Sequence, residues 1–304
     1  MKKICIIIVN WNRKKDTLTC LESLGKISRG KHTVEIVVVD NASSDGTAEA
    51  VVEKFPDVTV LASKTNDGFT GGNNRGMRYA MRHGADFIWL LNNDTMVHKN
   101  VLLGLLDALK HRAVGLAGSK IYFAPGYEFH HDRYRSGERG RVIWYAGGLV
   151  DWANMYASHR GVDEVDEGQY DTPSDTQFIT GCSLMIKREV IQSIGYLDDR
   201  YFLYLEDLDY SLRARDAGFR LVYSPASVLW HINAGSTGKP GHGLHQYYLT
   251  RNRLLVGMRY APLRTKTALV REAFRFIVSG PPVLRRAVLD FFLRKFGNRY
   301  TWKI

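Results

Sequence analysis

Three acidic residues near position 206 could support proton transfer. Glu206, Asp207 and Asp209 fall in YLEDLDYSLRARDAG, a pattern that predicts a helix ending at Gly218. Acids in the first turn of a helix are stabilised by the helix dipole, which lowers their pKa, so all three could serve the helix alone. Asp209 fits that explanation best, because Arg213 lies four residues later and can pair with it. The adjacent Glu206 and Asp207 follow an aromatic run and are harder to explain by structure alone.

A fourth acid, Asp94, follows the apolar segment ADFIWLLNN, and two explanations of it are open. Asp94 could cap a helix that begins near His98, or form a turn with Thr95. It could instead bind a divalent metal ion. Mg²⁺ and Mn²⁺ typically take one or two protein carboxylates and complete their shell with phosphate oxygens.

The segments around these acids predict an α/β fold. Strand-like and helix-like segments alternate in the first third of the chain, which implies a parallel sheet with helical crossovers. The strand-like runs are almost entirely apolar, as expected for strands covered on both faces. The predicted strands are ICIIIVN, VEIVVVD, VTVLAS and ADFIWLL.

Polar clusters follow all four of these strands, at the edge where open α/β sheets bind ligands. One polar residue after a strand is ordinary, but four sets after four successive strands indicate one crevice. There is no GxGxxG after the first strand and no P-loop, so a nucleotide held there would need another charge clamp, such as a metal ion. The clusters are Asn10, Trp11 and Asn12; Asp40 and Asn41; Asn66 with the glycine loop after it; and Asn92, Asn93 and Asp94.

Later segments are less regular. Residues 124 to about 177 predict loops and short antiparallel strands that could form a lid. Residues 233 to 243 predict a loop that could close over a substrate and exclude water. His231 stands just before this loop, and YYLTRN lies at the start of a helical tail.

Eight segments in order carry a family resemblance: VNWN, VVVDNASSDGT, NDGFTGGNNRG, LLNNDT, ITGCSLMIKREV, LEDLDYSLR, WH and YYLTRN. Together they resemble inverting family 2 glycosyltransferases, and most closely the rhamnosyltransferase-like branch that builds bacterial surface polysaccharides. The resemblance covers roughly residues 3 to 260. It implies a GT-A fold, with a Rossmann-like and mostly parallel central sheet, flanking helices, a small antiparallel insertion and a C-terminal helical extension.

The resemblance also implies roles for the acidic residues. Asp207 corresponds to the catalytic base, and Glu206 would orient the acceptor or support the site. LLNNDT stands where the family has its DxD-type metal motif, so Asn92 replaces the first acid and Asp94 remains as the main carboxylate for Mg²⁺ or Mn²⁺. His231 would be a further metal or diphosphate contact, although a lone histidine after a strand is usually a surface or capped residue.

Other residues would bind the nucleotide-sugar donor. By the resemblance, Asp40 would contact the base or ribose. Arg75 beside the glycine loop suits a diphosphate or a base carbonyl, unless it is a solvated helix residue. Arg251 would contact phosphate, unless its helix only docks on the sheet. The remaining residues expected to line this site are Asn10, Asn12, Asn66, Gly71, Gly72, Asn73, Asn92, Asn93 and Gly181.

The predicted activity is transfer of a sugar from dTDP-rhamnose or a UDP-hexose to a hydroxyl of a glycan or a lipid-linked acceptor. A sugar-1-phosphate nucleotidyltransferase is disfavoured, because that class needs a glycine-rich loop after the first strand and NWNRKKD has no glycine. A non-catalytic carbohydrate-binding subunit stays open because Asn92 replaces an acid. The adjacent Glu206 and Asp207 argue against it.

We expect two regions, residues 1–260 as the GT-A domain and residues 261–304 as a basic amphipathic tail. The tail holds ten Lys and Arg residues and two acids, a net +8 of the chain's +11. A stripe of Leu284, Val288, Phe291 and Phe292 flanked by arginines resembles an interfacial helix drawn to anionic lipid. Packing on the domain or on a second subunit, as in a homodimer, is the open alternative. Nucleic acid is disfavoured because the aromatic residues recur at helical spacing.

Three widely spaced cysteines, Cys5, Cys20 and Cys182, suggest a reducing compartment and no disulfide framework. The apolar run after Lys2 and Lys3 is only six residues long and predicts a strand rather than a signal peptide. No stretch reaches the ~18 apolar residues of a spanning helix. We therefore expect a cytoplasmic protein, with attachment to the inner face of the cell membrane as a further expectation.

Overall fold

The computed structural model describes residues 1–232 and 243–299. The loop expected to close over a substrate lies outside the described residues except for Gly243, and so do the last five residues of the basic tail.

The first half of the chain alternates strands and helices as predicted. The elements are β1 (Lys3–Asn10), α1 (Lys14–Leu24), β2 (Thr33–Asp40), α2 (Thr47–Lys54), β3 (Thr59–Ala62), α3 (Gly68–Arg82), β4 (Phe87–Asn92), β5 (Thr95–Val97), α4 (Val101–Ala108) and β6 (Val114–Phe123). The short strand β5 was not predicted, and α4 is shorter at both ends than the predicted helix, whose first residue, Val97, belongs to β5.

Strand β1 shows why its run is apolar. Alternate side chains of a strand point to opposite faces of the sheet. Ile4, Ile6 and Ile8 pack into the core on one face, whereas Cys5 and Ile7 pack into the core on the other. The strand is therefore covered on both sides, as its unbroken hydrophobicity predicted.

The second half begins with the insertion and ends in helices. It comprises β7 (Ile143–Tyr145), β8 (Gly148–Asp151), β9 (Tyr156–His159), β10 (Ser174–Asp175), β11 (Ser183–Lys187), α5 (Arg188–Ile194), α6 (Glu206–Asp216), β12 (Arg220–His231), α7 (Gly243–Tyr260), α8 (Leu263–Ser279) and α9 (Pro282–Phe292). Strands β8 and β9 form a separate antiparallel pair, so the short antiparallel strands predicted after residue 124 are present.

One large sheet organises the protein, in the order β10-β12-β6-β11-β4-β1-β2-β3. Strands β3, β2, β1 and β4 are parallel, and β12 is parallel to β6. Strand β11 runs antiparallel between β4 and β6, and β5 pairs antiparallel with the end of β12. The α/β expectation is confirmed.

The register of the parallel strands places the predicted polar clusters at one edge. Asn10 is level with Asp40, and Asp40 is level with Ala62 on β3. Val9 is level with Asn92 on β4. The ends of β1, β2 and β4 therefore meet, as the alternation of strands and helices implied.

The tail within 261–299 forms helices α8 and α9. Ala287 and Val288 of α9 are fully buried, and Asp290 is buried against Tyr247 of α7. The predicted stripe is thus divided: Val288 packs inward, whereas Phe292 is 46% exposed. In the described part of the chain, no helix is long and apolar enough to cross a membrane. All three cysteines are free and buried.

Candidate functional site

Asn10 joins the polar ends of three elements. Its amide donates hydrogen bonds to Asp40 Oδ1 (3.0 Å) and Ser43 Oγ (2.9 Å). Its carbonyl oxygen accepts from Thr17 Oγ1 (2.8 Å) and Asn93 Nδ2 (3.2 Å). The Asn10 side chain therefore uses both of its N–H groups and both acceptor positions of its oxygen within the protein. It holds the neighbouring side chains in place and has no hydrogen bond left for a nucleotide sugar.

Asp40 and Asn12 shape the loop after β2. Asp40 is buried, and its Oδ2 accepts from the backbone N–H of Ser43 at 3.1 Å. Asn12 is exposed, has a left-handed backbone with φ of +52°, and accepts from the Ser44 N–H at 2.8 Å. Two side chains predicted to bind the nucleotide thus hold the Ser43–Ser44 turn at the mouth of the sheet.

The start of α3 carries the predicted glycine loop. Asn66 Oδ1 accepts from the Gly68 N–H at 2.9 Å. Arg75 donates to Ser63 Oγ (3.0 Å) and Asp67 Oδ2 (3.2 Å), and its buried Nε has no partner among the described residues. That half-exposed guanidinium retains donor capacity toward a ligand.

Gly71, Gly72 and Asn73 have a packing role in the structure. A Cβ at Gly72 would lie 2.6 Å from Val9 Cγ1, and one at Gly71 would lie 2.6 Å from Asp67 Cβ. Asn73 is buried and donates to the Phe69 carbonyl at 2.9 Å. The missing side chain at Gly72 lets α3 lie close against β1, whereas the Gly71 and Asn73 contacts are within the start of α3. Gly72 and Asn73 are buried, whereas Gly71 is half-buried.

Asp94 and His231 meet where β4 turns into β5. Asp94 Oδ1 lies 3.1 Å from His231 Nε2, and the Asp94 carbonyl accepts from the Ile232 N–H at 2.8 Å. Helix α4 begins after Asn100, so the explanation of Asp94 as a helix cap is wrong. Burial opposes ionisation of this carboxyl, but the charge and hydrogen bond of His231 outweigh it, and the pKa of Asp94 lies below its ordinary value.

The insertion contributes to the same place. The Trp144 ring of β7 packs edge-on against His231, with ring centroids 4.6 Å apart. His231 is buried, and its Nδ1 has no hydrogen-bond partner in the described residues. A histidine enclosed in this way is not the surface residue that a lone histidine after a strand usually is.

This carboxylate and imidazole suit a divalent cation that shares its shell with phosphate. In the described ranges, no cluster of three or more His, Cys, Asp or Glu side chains could hold a metal by itself. Asp94 and His231 would supply two ligands, and Mg²⁺ or Mn²⁺ commonly takes one or two carboxylates and completes its shell with water and substrate oxygens. These two ligands therefore fit a metal that arrives with a diphosphate.

Asn92 is half-buried at the end of β4, and Asn93 turns inward to donate to Thr17 at 3.0 Å.

Asp207 is held at the start of α6 by two backbone donors. The Gly181 N–H donates to its Oδ2 at 2.9 Å, and the Leu208 N–H donates to its Oδ1 at 2.8 Å. Burial raises the pKa of Asp207 above its ordinary value despite these bonds. The helix dipole was expected to lower this pKa, and that prediction is wrong because desolvation of the charged form is the larger effect.

Glu206 is more deeply buried than Asp207, and its Oε2 has no partner among the described residues. Burial, with the adjacent charge of Asp207, raises the pKa of Glu206 well above its ordinary value. An unpartnered buried carboxyl costs folding free energy. Such a group is typical of a site that needs it for binding or chemistry.

Asp94 and Asp207 both lie near the turn that precedes β11. The Asn92 N–H donates to the Cys182 carbonyl at 3.0 Å, and the Gly181 N–H donates to Asp207. Burial raises the pKa of the Cys182 thiol well above its ordinary value, and the charges of Asp94 and Asp207 add to that rise. The turn before β11 is therefore close to both carboxylates.

Asp209 has the structural role that its spacing predicted. It is fully buried and receives hydrogen bonds from Arg213 Nε (2.8 Å), Tyr260 Oη (3.0 Å) and Arg259 Nη1 (3.2 Å). These partners tie α6 to the end of α7.

Arg251 does not reach the donor site. It is fully buried, and its guanidinium donates to the carbonyls of Gly297 (2.9 Å), Arg200 (3.0 Å) and Tyr201 (2.8 Å). With those donors engaged by the backbone, the arginine holds the segment before α6. Arg251 was predicted to contact phosphate, but here it has a structural role. That role is closer to the alternative in which its helix only docks on the sheet.

The sequence pattern assigned no role to the adjacent Asn252, which holds the segment before the predicted base. Its amide donates to the carbonyls of Tyr201 (3.0 Å), Leu203 (2.7 Å) and Tyr204 (2.8 Å). Tyr204 and Leu205 have φ of +69° and +67°, a left-handed conformation that costs free energy in non-glycine residues. The sequence LYLED does not predict a left-handed backbone at Tyr204 and Leu205. The only related signal is Asn252 in YYLTRN, whose amide binds the carbonyls of this segment.

The fold and this site define a glycosyltransferase. The chain matches the glycosyltransferase-like family 2 over residues 2–253 and belongs to that family. It is 27% identical over 221 residues to an N-acetylglucosaminyl-diphospho-decaprenol L-rhamnosyltransferase of Mycobacterium tuberculosis, covering 68% of this chain and 69% of that protein. It is 22% identical over 268 residues to dTDP-rhamnosyl transferase RfbF of Shigella flexneri, covering 86% of this chain and 82% of that protein.

Solved structures confirm the GT-A fold. The mannosyltransferase PcManGT from Pyrobaculum calidifontis, in complex with GDP-Man and Mn²⁺, superposes with a TM-score of 0.55 at 18% identity, covering 96% of this chain and 74% of that one. GalNAc-T7 with UDP, GalNAc and Mn²⁺ gives a TM-score of 0.60 at 16% identity, covering 92% of this chain and 58% of that one.

Proposed function

We propose that this glycosyltransferase moves a sugar, with inversion, from a nucleoside diphosphate donor to a hydroxyl of a glycan or lipid-linked acceptor. The observation that carries the proposal is the shared turn at Gly181 and Cys182, which lies close both to Asp207 and to Asp94 with its partner His231. An inverting displacement needs a proton acceptor on one side of the anomeric carbon and stabilisation of the leaving group on the other.

Asp207 accepts the proton of the attacking hydroxyl. The acceptor oxygen forms its bond to the anomeric carbon while the bond from that carbon to the diphosphate oxygen breaks, and the proton passes to a carboxylate oxygen of Asp207. General base catalysis of this kind typically contributes ~10²–10⁴-fold in rate. Burial raises the pKa of Asp207, which makes the carboxylate a stronger base than an exposed aspartate.

The diphosphate leaves on the side of Asp94 and His231. These residues would hold Mg²⁺ or Mn²⁺ together with the diphosphate, and a bound metal supplies Lewis-acid stabilisation of the developing negative charge. Both solved neighbours are complexes that contain Mn²⁺, which supports a metal at this position. Arg75 adds a half-exposed cation at the nucleoside side, where Asp40 and Asn12 shape the mouth of the sheet.

The names of the relatives favour dTDP-rhamnose among the donors and a lipid diphosphate among the acceptors. One relative is named a dTDP-rhamnosyl transferase, and another acts on N-acetylglucosaminyl-diphospho-decaprenol. We place the reaction in the cytoplasm, where nucleotide sugars are available, at the inner face of the cell membrane.

The test is a donor panel. Purified protein is incubated with dTDP-rhamnose, UDP-galactofuranose, UDP-glucose, UDP-galactose or UDP-N-acetylhexosamine and a diphosphate-lipid acceptor, with Mn²⁺ or Mg²⁺, and release of nucleoside diphosphate is measured. The proposal requires acceptor-dependent release from one donor and an inverted anomeric configuration in the product by NMR. Transfer with retention, or no acceptor-dependent release from any donor, would contradict it.

A further inference from the structure

Helices α8 and α9 together present an exposed apolar surface. Phe274 and Val278 on α8 are 60% and 78% exposed, and Leu289, Phe292 and Leu293 at the end of α9 are 38%, 46% and 59% exposed. The Phe274 and Phe292 ring centroids lie 6.4 Å apart, so the two sets form one surface. We name these five residues the outer face. Large apolar side chains gathered in one exposed patch usually mark an interaction site.

Arginines lie on the same sides of both helices. Arg271, Phe274, Arg275 and Val278 follow the i, i+3, i+4, i+7 spacing that defines one helical face, and Arg285 precedes Leu289 by four residues. Arg271, Arg275 and Arg285 are exposed, and no ion pair joins any of them to another described residue. We name these three residues the basic rim.

The acids of this segment point away from the outer face. Only Glu272 and Asp290 are acidic between residues 261 and 304. Glu272 pairs with Arg253 of α7 at 2.6 Å. Asp290 is buried and accepts hydrogen bonds from Tyr247 Oη at 2.6 Å and Arg286 Nε at 2.8 Å. The outer face therefore combines exposed apolar groups with positive charge that no nearby carboxylate neutralises.

We infer that the outer face docks on an anionic lipid bilayer. Apolar side chains of an interfacial helix enter the boundary between headgroups and acyl chains, while basic side chains beside them attract anionic headgroups. A second copy of this chain is a poorer occupant, because two outer faces in contact would bring six arginines of the two basic rims together without an opposing acid. The surface is made by two helices rather than by the single stripe that the sequence suggests.

Vesicle flotation tests this inference with the full-length protein. Wild-type protein should float with vesicles that contain phosphatidylglycerol and remain in solution with phosphatidylcholine vesicles at the same ionic strength. Replacing the apolar part (Phe292→Ser with Leu293→Ser) or reversing the basic rim (Arg271→Glu, Arg275→Glu, Arg285→Glu) should weaken binding about tenfold or more. The control reverses three exposed cations on other elements by the same charge (Lys31→Glu, Lys99→Glu, Arg112→Glu) and should bind nearly as wild type.

Circular dichroism first establishes that every variant is folded, and transfer to a water-soluble acceptor should be unchanged. The inference fails if wild type does not bind anionic vesicles, or if the rim reversal and its control lose binding equally. It also fails if sedimentation shows a wild-type dimer that the Phe292→Ser/Leu293→Ser variant dissociates, since a second copy would then occupy the face.

Discussion

Asn252 donates a hydrogen bond to the carbonyl oxygen of Tyr204 across 2.8 Å, and Tyr204 has a left-handed backbone with φ of +69°. The same amide also contacts the carbonyls of Tyr201 and Leu203. Because Glu206 and Asp207 follow this segment directly, the side chain on α7 fixes where helix α6 begins. Asn252 is a positioning residue that acts through the backbone.

We predict that Asn252→Asp slows catalysis more than it weakens donor binding. The substitution keeps the shape but removes the N–H donors, and it places a carboxylate against three carbonyl oxygens. Loss of hydrogen bonds to buried carbonyls should lower the free energy of unfolding by about 1–3 kcal/mol. In steady-state kinetics kcat should fall about tenfold or more, with the donor KM almost unchanged.

Asn100→Asp is the matched control, since Asn100 is exposed at the start of α4. It should leave both kcat and stability close to wild type. An Asn252→Asp enzyme with wild-type kcat would show that the segment before α6 keeps its position without the amide.

Asp209 and Asp216 both lie on α6, but removing their charges should have different effects on stability. Asp209→Asn leaves Arg213 and Arg259 without their buried carboxylate, and breaking such a network typically costs about 3–5 kcal/mol. Urea unfolding should show this loss, whereas Asp216→Asn at the exposed end of the same helix should unfold as wild type does. Equal stability of the two variants would contradict the structural role of Asp209.

Glu206→Gln should stabilise the protein at neutral pH. The pKa of Glu206 is raised in the folded state, so the folded protein binds more protons than the unfolded chain at any pH above the ordinary value of 4.5 and below the raised pKa. Stability of the wild type therefore falls as pH rises through that window. Removing the titrating group should gain on the order of 1 kcal/mol at pH 8, with a smaller gain at pH 5.

Urea unfolding of both proteins at the two pH values measures this difference. A gain that is the same at pH 5 and pH 8 would show that Glu206 does not titrate in this window. Because Glu206 belongs to the site, the stabilised variant should also transfer sugar more slowly.

Asp94→Asn should abolish the effect of metal on donor binding. In a thermal-shift assay, Mn²⁺ with a nucleoside diphosphate should raise the Tm of wild type, because a ligand that binds only the folded state stabilises it. The variant loses the carboxylate that faces His231 and should show little shift. Asp57→Asn removes an exposed acid and should shift as wild type does. A full shift in the Asp94 variant would place the metal elsewhere.

Much of the fold could be predicted because its signals are local. The apolar runs and the alternation of strands with helices specify the parallel half of the sheet, and the register brings Asn10, Asp40 and Asn92 to one edge. The pairing of Asp209 with Arg213 also followed from helical spacing. Strand β5 escaped prediction because three residues carry too little pattern.

The site was harder to predict because its energetics depend on distant contacts. The pKa of Asp207 is set by burial, which the sequence does not display, and not mainly by the helix dipole. Gly72 was expected to line the donor site, and only the structure shows that its position is set by close packing against Val9. Arg251 reads as a phosphate ligand until backbone carbonyls more than 40 residues away are seen to engage it.

The most direct test of the account is calorimetry and transfer kinetics on Asp207→Asn. The substitution keeps an acceptor oxygen for the Gly181 N–H but removes the base, so donor binding should stay within a few-fold of wild type while transfer falls by ~10²-fold or more. It should cost less stability than Asp209→Asn, because burial opposes the charge at this position, although the amide cannot accept from both the Gly181 and the Leu208 N–H. Retained turnover with lost donor binding would contradict the assignment of Asp207 as the base.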